Sequence, residues 1–167
     1  MTYPENSIQG WMTIDELRWL HQEAVASRSV VEVGAWAGRS THALLTGCKG
    51  LVTVVDTWLE PIMGFDNQAA RLGFCSNTEG FGNLSIIEKD SLRAARTFKK
   101  GSVDMVFLDA NHGYAGVLAD LKVWTPKTSR LICGHDYSKN WPGVVQAVNE
   151  FFGGKHEVFG AIWFVRV

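Results

Sequence analysis

The chain has 167 residues, 46% of them hydrophobic and 20% charged, with a formal net charge of −1. That suffices for one domain with a sizeable core but not for two ordinary ones. No basic stripe exists, the only adjacent lysines being Lys99 and Lys100, and this excludes nucleic acid as the expected partner.

The first residues, "MTYPENSIQGWMTIDE", lack the basic start and apolar core of a signal peptide, and no apolar run approaches a membrane span. A cytoplasmic protein with no membrane partner is expected. Cys48, Cys75 and Cys133 are widely spaced and form no CxxC, so reduced, mostly buried thiols are predicted rather than a disulfide framework or zinc site.

In chain order, Thr13 and Glu16 in "TIDEL" form a capping box that starts a helix, with Ile14, Leu17, Leu20 and Ala24 on its apolar face. Residues 1–28 are thus a helical segment packing on the rest of one domain, 1–167. "VVEV" then predicts a strand, "RSTHALLTG" a helix and "LVTVVD", 51–56, a second strand. Residues 57–83 are glycine- and aromatic-rich, with one helix near 66–76; they fit either a lid over an acceptor pocket or an ordinary crossover. "LSIIEKD", "SLRAARTF", "VDMVFLD", "YAGVLADLKVW", "RLICGHD" and "PGVVQAVNEFF" continue as alternating strands and helices. "HEVFGAIWFVRV" closes the chain as a hairpin hinged near Gly160. Alternation of this kind predicts an α/β fold, a doubly wound, mostly parallel sheet with helices on both faces and an antiparallel last strand.

Ligands of such sheets bind at the carboxyl ends of the strands, where the sequence places Gly34, Asp56, Asp90, Asp109 and Asp136. A dinucleotide pyrophosphate needs glycines where "VVEVGAWAGRST" has Trp36 and Arg39, which argues against a nicotinamide-dependent oxidoreductase, and no P-loop lysine follows. A ligand with a carboxylate, an ammonium and a ribose but no phosphate fits better, and S-adenosylmethionine meets that description. The amino end of the helix near Arg39 attracts the carboxylate, Glu32 offers the opposite charge to the ammonium, and Asp56 can accept both ribose hydroxyls. The competing reading of the glycine turn is a plain tight connection.

Taken in order, "VVEVGAWAGRST", "VVDTW", "IIEKDSLRAA", "VDMVFLDANHGYAGVLADLKVW" and "CGHDY" resemble the motifs of class I S-adenosylmethionine-dependent methyltransferases, specifically methyltransferase type 24. The resemblance runs from about Trp11 to the end, and "FLDANHGYAGVLADL" is its most specific piece. It implies a Rossmann-like sheet of seven strands with the last antiparallel. It also implies a cofactor site of Glu32, Gly34, Ala35, Trp36, Ser40, Asp56, Thr57, Trp58, Asp90, Ser91 and Asp109, with Asp90 near the adenine amino group and Trp58 against the ring.

Methyl transfer from a sulfonium requires an aligned acceptor, exclusion of water and removal of the acceptor's proton. His112, three residues past Asp109, is the expected general base because an ordinary imidazole titrates near neutrality; its other reading is a structural loop histidine. Asp109 and Asp136, on neighbouring strand ends, with Asn111 or His135 beside them, form a candidate magnesium site. Related metal-dependent methyltransferases offer Asn or Asp where this chain has Tyr137. Tyr137 and Trp141 are acceptor-pocket candidates. Trp11, Trp19, Trp124 and Trp163 are expected in the core or an interface, and His21, His42 and His156 on packed or surface positions. The expected activity is methylation of a small-molecule acceptor, at oxygen, by a chain able to dimerise around an open site. The alternative is a non-catalytic module that binds S-adenosylmethionine or its demethylated product as a sensor or assembly partner.

Overall fold

A computed structural model of the protein describes residues 8–59, 64 and 66–167. Its elements are α1 (Ile14–Val25), β1 (Ser29–Val33), α2 (Arg39–Gly47), β2 (Leu51–Val55), α3 (Asn67–Asn77), β3 (Leu84–Ile87), α4 (Ser91–Ala94), β4 (Val103–Leu108), α5 (Tyr114–Trp124), β5 (Thr128–Gly134), α6 (Pro142–Phe152), β6 (Glu157–Phe159) and β7 (Ile162–Arg166). Seven strands form one sheet in the order β3-β2-β1-β4-β5-β7-β6. The first five are parallel, and β7 runs antiparallel to both β5 and β6. The sequence-derived fold class and the hairpin hinge, Gly160 at φ +60°, are both observed. No helix among the described residues is long and apolar enough to cross a membrane.

Local chemistry explains most element boundaries. The capping box starts α1: the Thr13 hydroxyl accepts from Glu16 N–H, and the Glu16 carboxylate accepts from Thr13 N–H. Pro142 opens α6, and Gly153, left-handed at φ +59°, ends it. "SLRAARTF" departs from expectation. It forms a single turn, α4, and then a 3-10 turn, Ala95–Thr97, where the Thr97 hydroxyl donates to the Ala94 carbonyl and competes with helix continuation. Helix α3 lies one residue from its predicted span. The lid reading of 57–83 falls partly on residues 60–63 and 65, outside the described residues.

Side chains alternate across the sheet and so build a core on each face. Along β4, Met105 and Phe107 pack beneath α1 and α2 with Leu20, Leu44 and Leu131. Val106 and Leu108 point the other way, toward Leu121, Trp124 and Val148 of α5 and α6. Both layers bring their parallel strand ends to one edge.

Strands β1 and β4 almost touch at that edge. Gly34, at φ +88°, follows β1; a Cβ there would lie 2.4 Å from the Asp109 carbonyl oxygen. Asp109 N–H in turn donates to Val33 O at 2.8 Å. Gly34 is therefore required by the crossing of two backbones as well as by its own left-handed conformation.

One residue earlier, Glu32 is fully buried, and each of its carboxylate oxygens takes a hydroxyl, Ser40 on Oε1 and Thr41 on Oε2, both at 2.5 Å. It binds β1 to α2 inside the protein and does not reach the surface where an ammonium ligand would sit. Burial raises its pKa to about 8; the two hydroxyls oppose the shift, and Asp109 and Asp56 add to it.

Two outcomes follow from these contacts. Gly34→Ala should cost about 2 kcal/mol or more in urea unfolding, through a left-handed alanine and an overpacked crossing; an unchanged midpoint would contradict the crossing as described. Glu32 is protonated in the folded state over a range where the unfolded chain ionises, so the wild type loses stability as pH rises from 4.5 to about 8. The stability of Glu32→Gln relative to wild type should accordingly increase across that interval, and a difference independent of pH would show that Glu32 folds ionised.

Candidate active site

Asp56, just past β2, shapes the glycine turn. Its Oδ2 accepts from Ala35 N–H at 2.7 Å and Trp36 N–H at 3.2 Å, and its Oδ1 from Trp58 N–H at 2.8 Å. Trp36 and Trp58 both sit at positive φ, +46° and +49°, conformations that cost a bulky residue about 1–2 kcal/mol each. The carboxylate and a bond from Trp58 Nε1 to Trp36 O at 2.8 Å hold them there.

Above the turn opens a cleft of about 920 Å³, bounded by the turn, the start of α2, the β4 loop and the loop after β5. Its walls are aromatic: Trp36 and Trp141 line it together with Trp11, whose ring lies 4.6 Å from that of Trp36. Trp11 was expected in the core or an interface, yet it is 55% exposed at the cleft's mouth. Arg39 is what places it. The guanidinium donates to Met12 O at 3.1 Å and Ile8 O at 2.7 Å, strapping residues 8–12 to the start of α2. Helix α2 has Gly38 as its N-cap and no side-chain cap, and its first turn faces the cleft.

Charged groups of alternating sign cross the cleft floor. His112 Nε2 stands 2.8 Å from Asp136 Oδ2 and 3.9 Å from Asp109 Oδ1. His135 Nδ1 is 3.2 Å from Asp136 Oδ1, and its Nε2 is 3.5 Å from Glu16 Oε2. Burial disfavours both imidazolium ions, but the carboxylates override it, raising His112 to about 9 and His135 to about 10. Burial likewise works against ionised Asp136, whose pKa is nonetheless lowered by hydrogen bonds from His112 and His135. Asp109 moves upward, because burial outweighs His112. The expectation of a near-neutral His112 is thus corrected: in the free protein it is mainly protonated at pH 7. Its ring lies 4.4 Å from that of Trp141, which completes its support.

Asp109, His112 and Asp136 each bring a ligand atom within 4.8 Å of the others, so the predicted pair of aspartates does converge. Magnesium requires a near-octahedral set of oxygens. Here both Asp136 oxygens face imidazole nitrogens, and Asn111 Oδ1 accepts from Gly113 N–H at 2.9 Å. The hydroxyl of Tyr137 donates to Asn149 on α6 at 3.1 Å, which also turns this residue away from the acceptor role expected of it. Magnesium could bind Asp136 here only by displacing an imidazole from its carboxylate.

Of the predicted residues, Gly34, Ala35, Trp36, Ser40, Asp109, His112, Asp136 and Trp141 meet at the cleft; Glu32, Asp56, Thr57, Trp58, Asp90 and Ser91 do not line it. Trp58 is buried under the turn against Phe74. Thr57 accepts from Leu59 N–H, and exposed Asp90 caps α4 by accepting from Arg93 N–H. Ser91 donates to Asp120 Oδ1 at 2.5 Å and accepts from Trp124 Nε1 at 2.8 Å. Sequence reasoning missed Glu16 and Trp11 as neighbours of the site. A signal existed: a helix that precedes β1 and packs antiparallel to it must begin at the carboxyl edge of the sheet.

The description "methyltransferase domain" belongs to the family model that matches residues 31–137. No curated protein matches the chain. Among solved structures, an O-methyltransferase from Bacillus cereus, in complex with S-adenosylhomocysteine, is 16% identical with a TM-score of 0.66, over 94% of this chain and 83% of that one. Podospora anserina methyltransferase PaMTH1, bound to the same compound, is 18% identical with a TM-score of 0.67, over 93% and 79%. The O-methyltransferase TomG from Streptomyces achromogenes, in complex with S-adenosylmethionine, is 14% identical with a TM-score of 0.68, over 94% and 81%. These structures share its fold, and the motif span carries the assignment: the chain belongs to the methyltransferase type 24 family of class I S-adenosylmethionine-dependent methyltransferases.

Proposed function

We propose that this protein methylates a hydroxyl oxygen of a small-molecule acceptor, with His112 as general base. The observation that carries this reading is the 2.8 Å contact between His112 Nε2 and Asp136 at the floor of an aromatic-walled cleft. O-methyltransferases among the structures of the same fold support oxygen as the acceptor atom.

S-adenosylmethionine supplies the electrophilic methyl group. The turn Gly34–Ala35–Trp36 and the first turn of α2, with Ser40, would hold its amino acid end. An ionised carboxylate has about four acceptor positions. Asp56 spends three of them on backbone N–H groups, which leaves room for one ribose hydroxyl rather than two. Asp90, exposed at the start of α4, is the acid available to an adenine amino group.

Asp136 and Asp109 engage His112 through Nε2, so Nδ1 is the ring nitrogen that accepts the acceptor's proton. Asp136 orients the ring and stabilises the imidazolium once the proton has arrived, as a carboxylate does beside any catalytic histidine. Trp11, Trp36 and Trp141 give a flat acceptor an apolar face, and an acceptor seated on them would displace water from the cleft. No metal enters this scheme.

The expected outcomes are concrete. With S-adenosylmethionine and a panel of phenols and sugars, S-adenosylhomocysteine should form only when an acceptor is present; binding of S-adenosylmethionine without turnover of any acceptor would favour the non-catalytic reading. His112→Ala should lower kcat by about 10²- to 10⁴-fold while leaving S-adenosylhomocysteine affinity unchanged. Turnover within a few-fold of wild type would remove His112 from the base role. A base that must lose its proton first makes kcat/KM rise with pH toward about 9 and level off above it. Prolonged EDTA treatment should not change activity, and a loss restored by magnesium would contradict the metal-free scheme.

A further inference from the structure

Glu16 lies far from the motifs of the family span, yet it is 5% exposed and surrounded by donors. Its role in the capping box accounts for Thr13 N–H at 2.8 Å and the Thr13 hydroxyl at 2.9 Å, both on Oε2. Two further contacts, one a hydrogen bond and one an ion pair, have nothing to do with starting a helix. Ala161 N–H, in the turn between β6 and β7, reaches Oε1 at 2.7 Å, and His135 Nε2 faces Oε2 at 3.5 Å. The turn presses so close that a Cβ on Gly160 would stand 2.5 Å from Oε1.

Both extra contacts lead to Asp136. Through side chains, His135 Nδ1 sits 3.2 Å from Asp136 Oδ1, opposite the oxygen that faces His112. Through the backbone, the Ala161 carbonyl accepts from Tyr137 N–H at 2.9 Å, immediately after Asp136. Asp136 needs such support. At φ +61° it is a non-glycine residue in the left-handed region, a conformation that persists only where its surroundings overdetermine it. The carboxylate it aims at His112 is held from behind by contacts that converge on a single acid at the start of α1.

We propose that Glu16 is a positioning residue for His112, acting on Asp136 through His135 and through the Ala161–Tyr137 backbone. The inference rests on the reading of His112 as the base, but it concerns the orientation of the ring and can be tested without an acceptor. Glu16→Gln is the informative change. Glutamine has one oxygen where glutamate has two, so it can keep the capping-box bond from Thr13 N–H or the bond from Ala161 N–H but not both, and it carries no charge to face His135.

The readout is two-bond proton–nitrogen NMR of the imidazoles, in protein saturated with S-adenosylhomocysteine, with signals assigned by single substitution among the five histidines. In Glu16→Gln the ring-nitrogen shifts of both His135 and His112 should move toward those of histidine in an unfolded peptide. Thr13→Ala, which breaks only the helix cap, should lower Tm and leave both sets in place. If Glu16→Gln does not fold, His135→Gln breaks the same link without touching the cap and should move His112 alike. A His112 signal that stays at its wild-type position in the folded variants overturns the proposal. Because turnover of His112→Ala judges the base independently, either idea can fail while the other stands.

Discussion

Everything in the site descends from one backbone contact, the crossing of the β1 turn over the end of β4. With no side chain at Gly34, the Asp109 peptide lies directly against the turn, and Asp109 N–H extends the β1–β4 pairing by one bond to Val33 O. Two loops that carry different chemistry are thereby brought together. One presents the open amino end of α2, and the other carries Asp109 and His112 over the same cleft. Asp56 then fixes the turn from the other side by taking two of its backbone N–H groups, Ala35 and Trp36, while its second oxygen takes Trp58 N–H in its own loop. A cofactor with a carboxylate at one end and a ribose at the other is matched by this arrangement without any glycine at position 36. The close approach needed by a pyrophosphate is blocked by the Trp36 side chain.

The acids near the site divide into two kinds by their partners. Glu32 has only hydroxyls around it and is best kept neutral, a polar clasp between strand and helix. Glu16 and Asp136 stand beside imidazoles and stay ionised; for Glu16, burial is outweighed by His135, Ala161 and Thr13, and its pKa falls to about 2. Removing either partner of such a pair would leave a charge with poor solvation and no counterion. Consequently, the row Glu16, His135, Asp136, His112, Asp109 behaves as a unit, with its alternating signs supplying the compensation that water cannot. That interdependence lets an acid on the first helix bear on a histidine nearly a hundred residues later.

The fold was legible in the sequence because the runs of the central strands β1, β2, β4 and β5 are short, buried on both faces and followed within two residues by a strand-end acid or glycine. The helices α2, α5 and α6 were delimited by Gly38, Trp124 and Pro142, and the terminal hairpin by Gly160. The site was only half legible. Asp109, His112 and Asp136 announce themselves as polar residues directly after apolar strands. What the side chain of Ser91 faces depends on Asp120 and Trp124, which approach from another helix, and no local pattern records that approach. Glu32 looks like a ligand acid because it precedes the turn, yet the alternation of the strand points it into α2. Trp11 escaped notice because a large aromatic is buried more often than not, and the Arg39 strap that helps hold it at the cleft is formed across 27 and 31 residues of sequence.

The claim that organises this account is that the glycine turn of "VVEVGAWAGRST" receives S-adenosylmethionine and not a dinucleotide. Isothermal titration with S-adenosylhomocysteine, with NAD as the control, tests it most directly. The account predicts saturable binding of S-adenosylhomocysteine at micromolar affinity and none of NAD. Binding of NAD, or of neither compound, would contradict it and assign the strand-end acids to a different ligand.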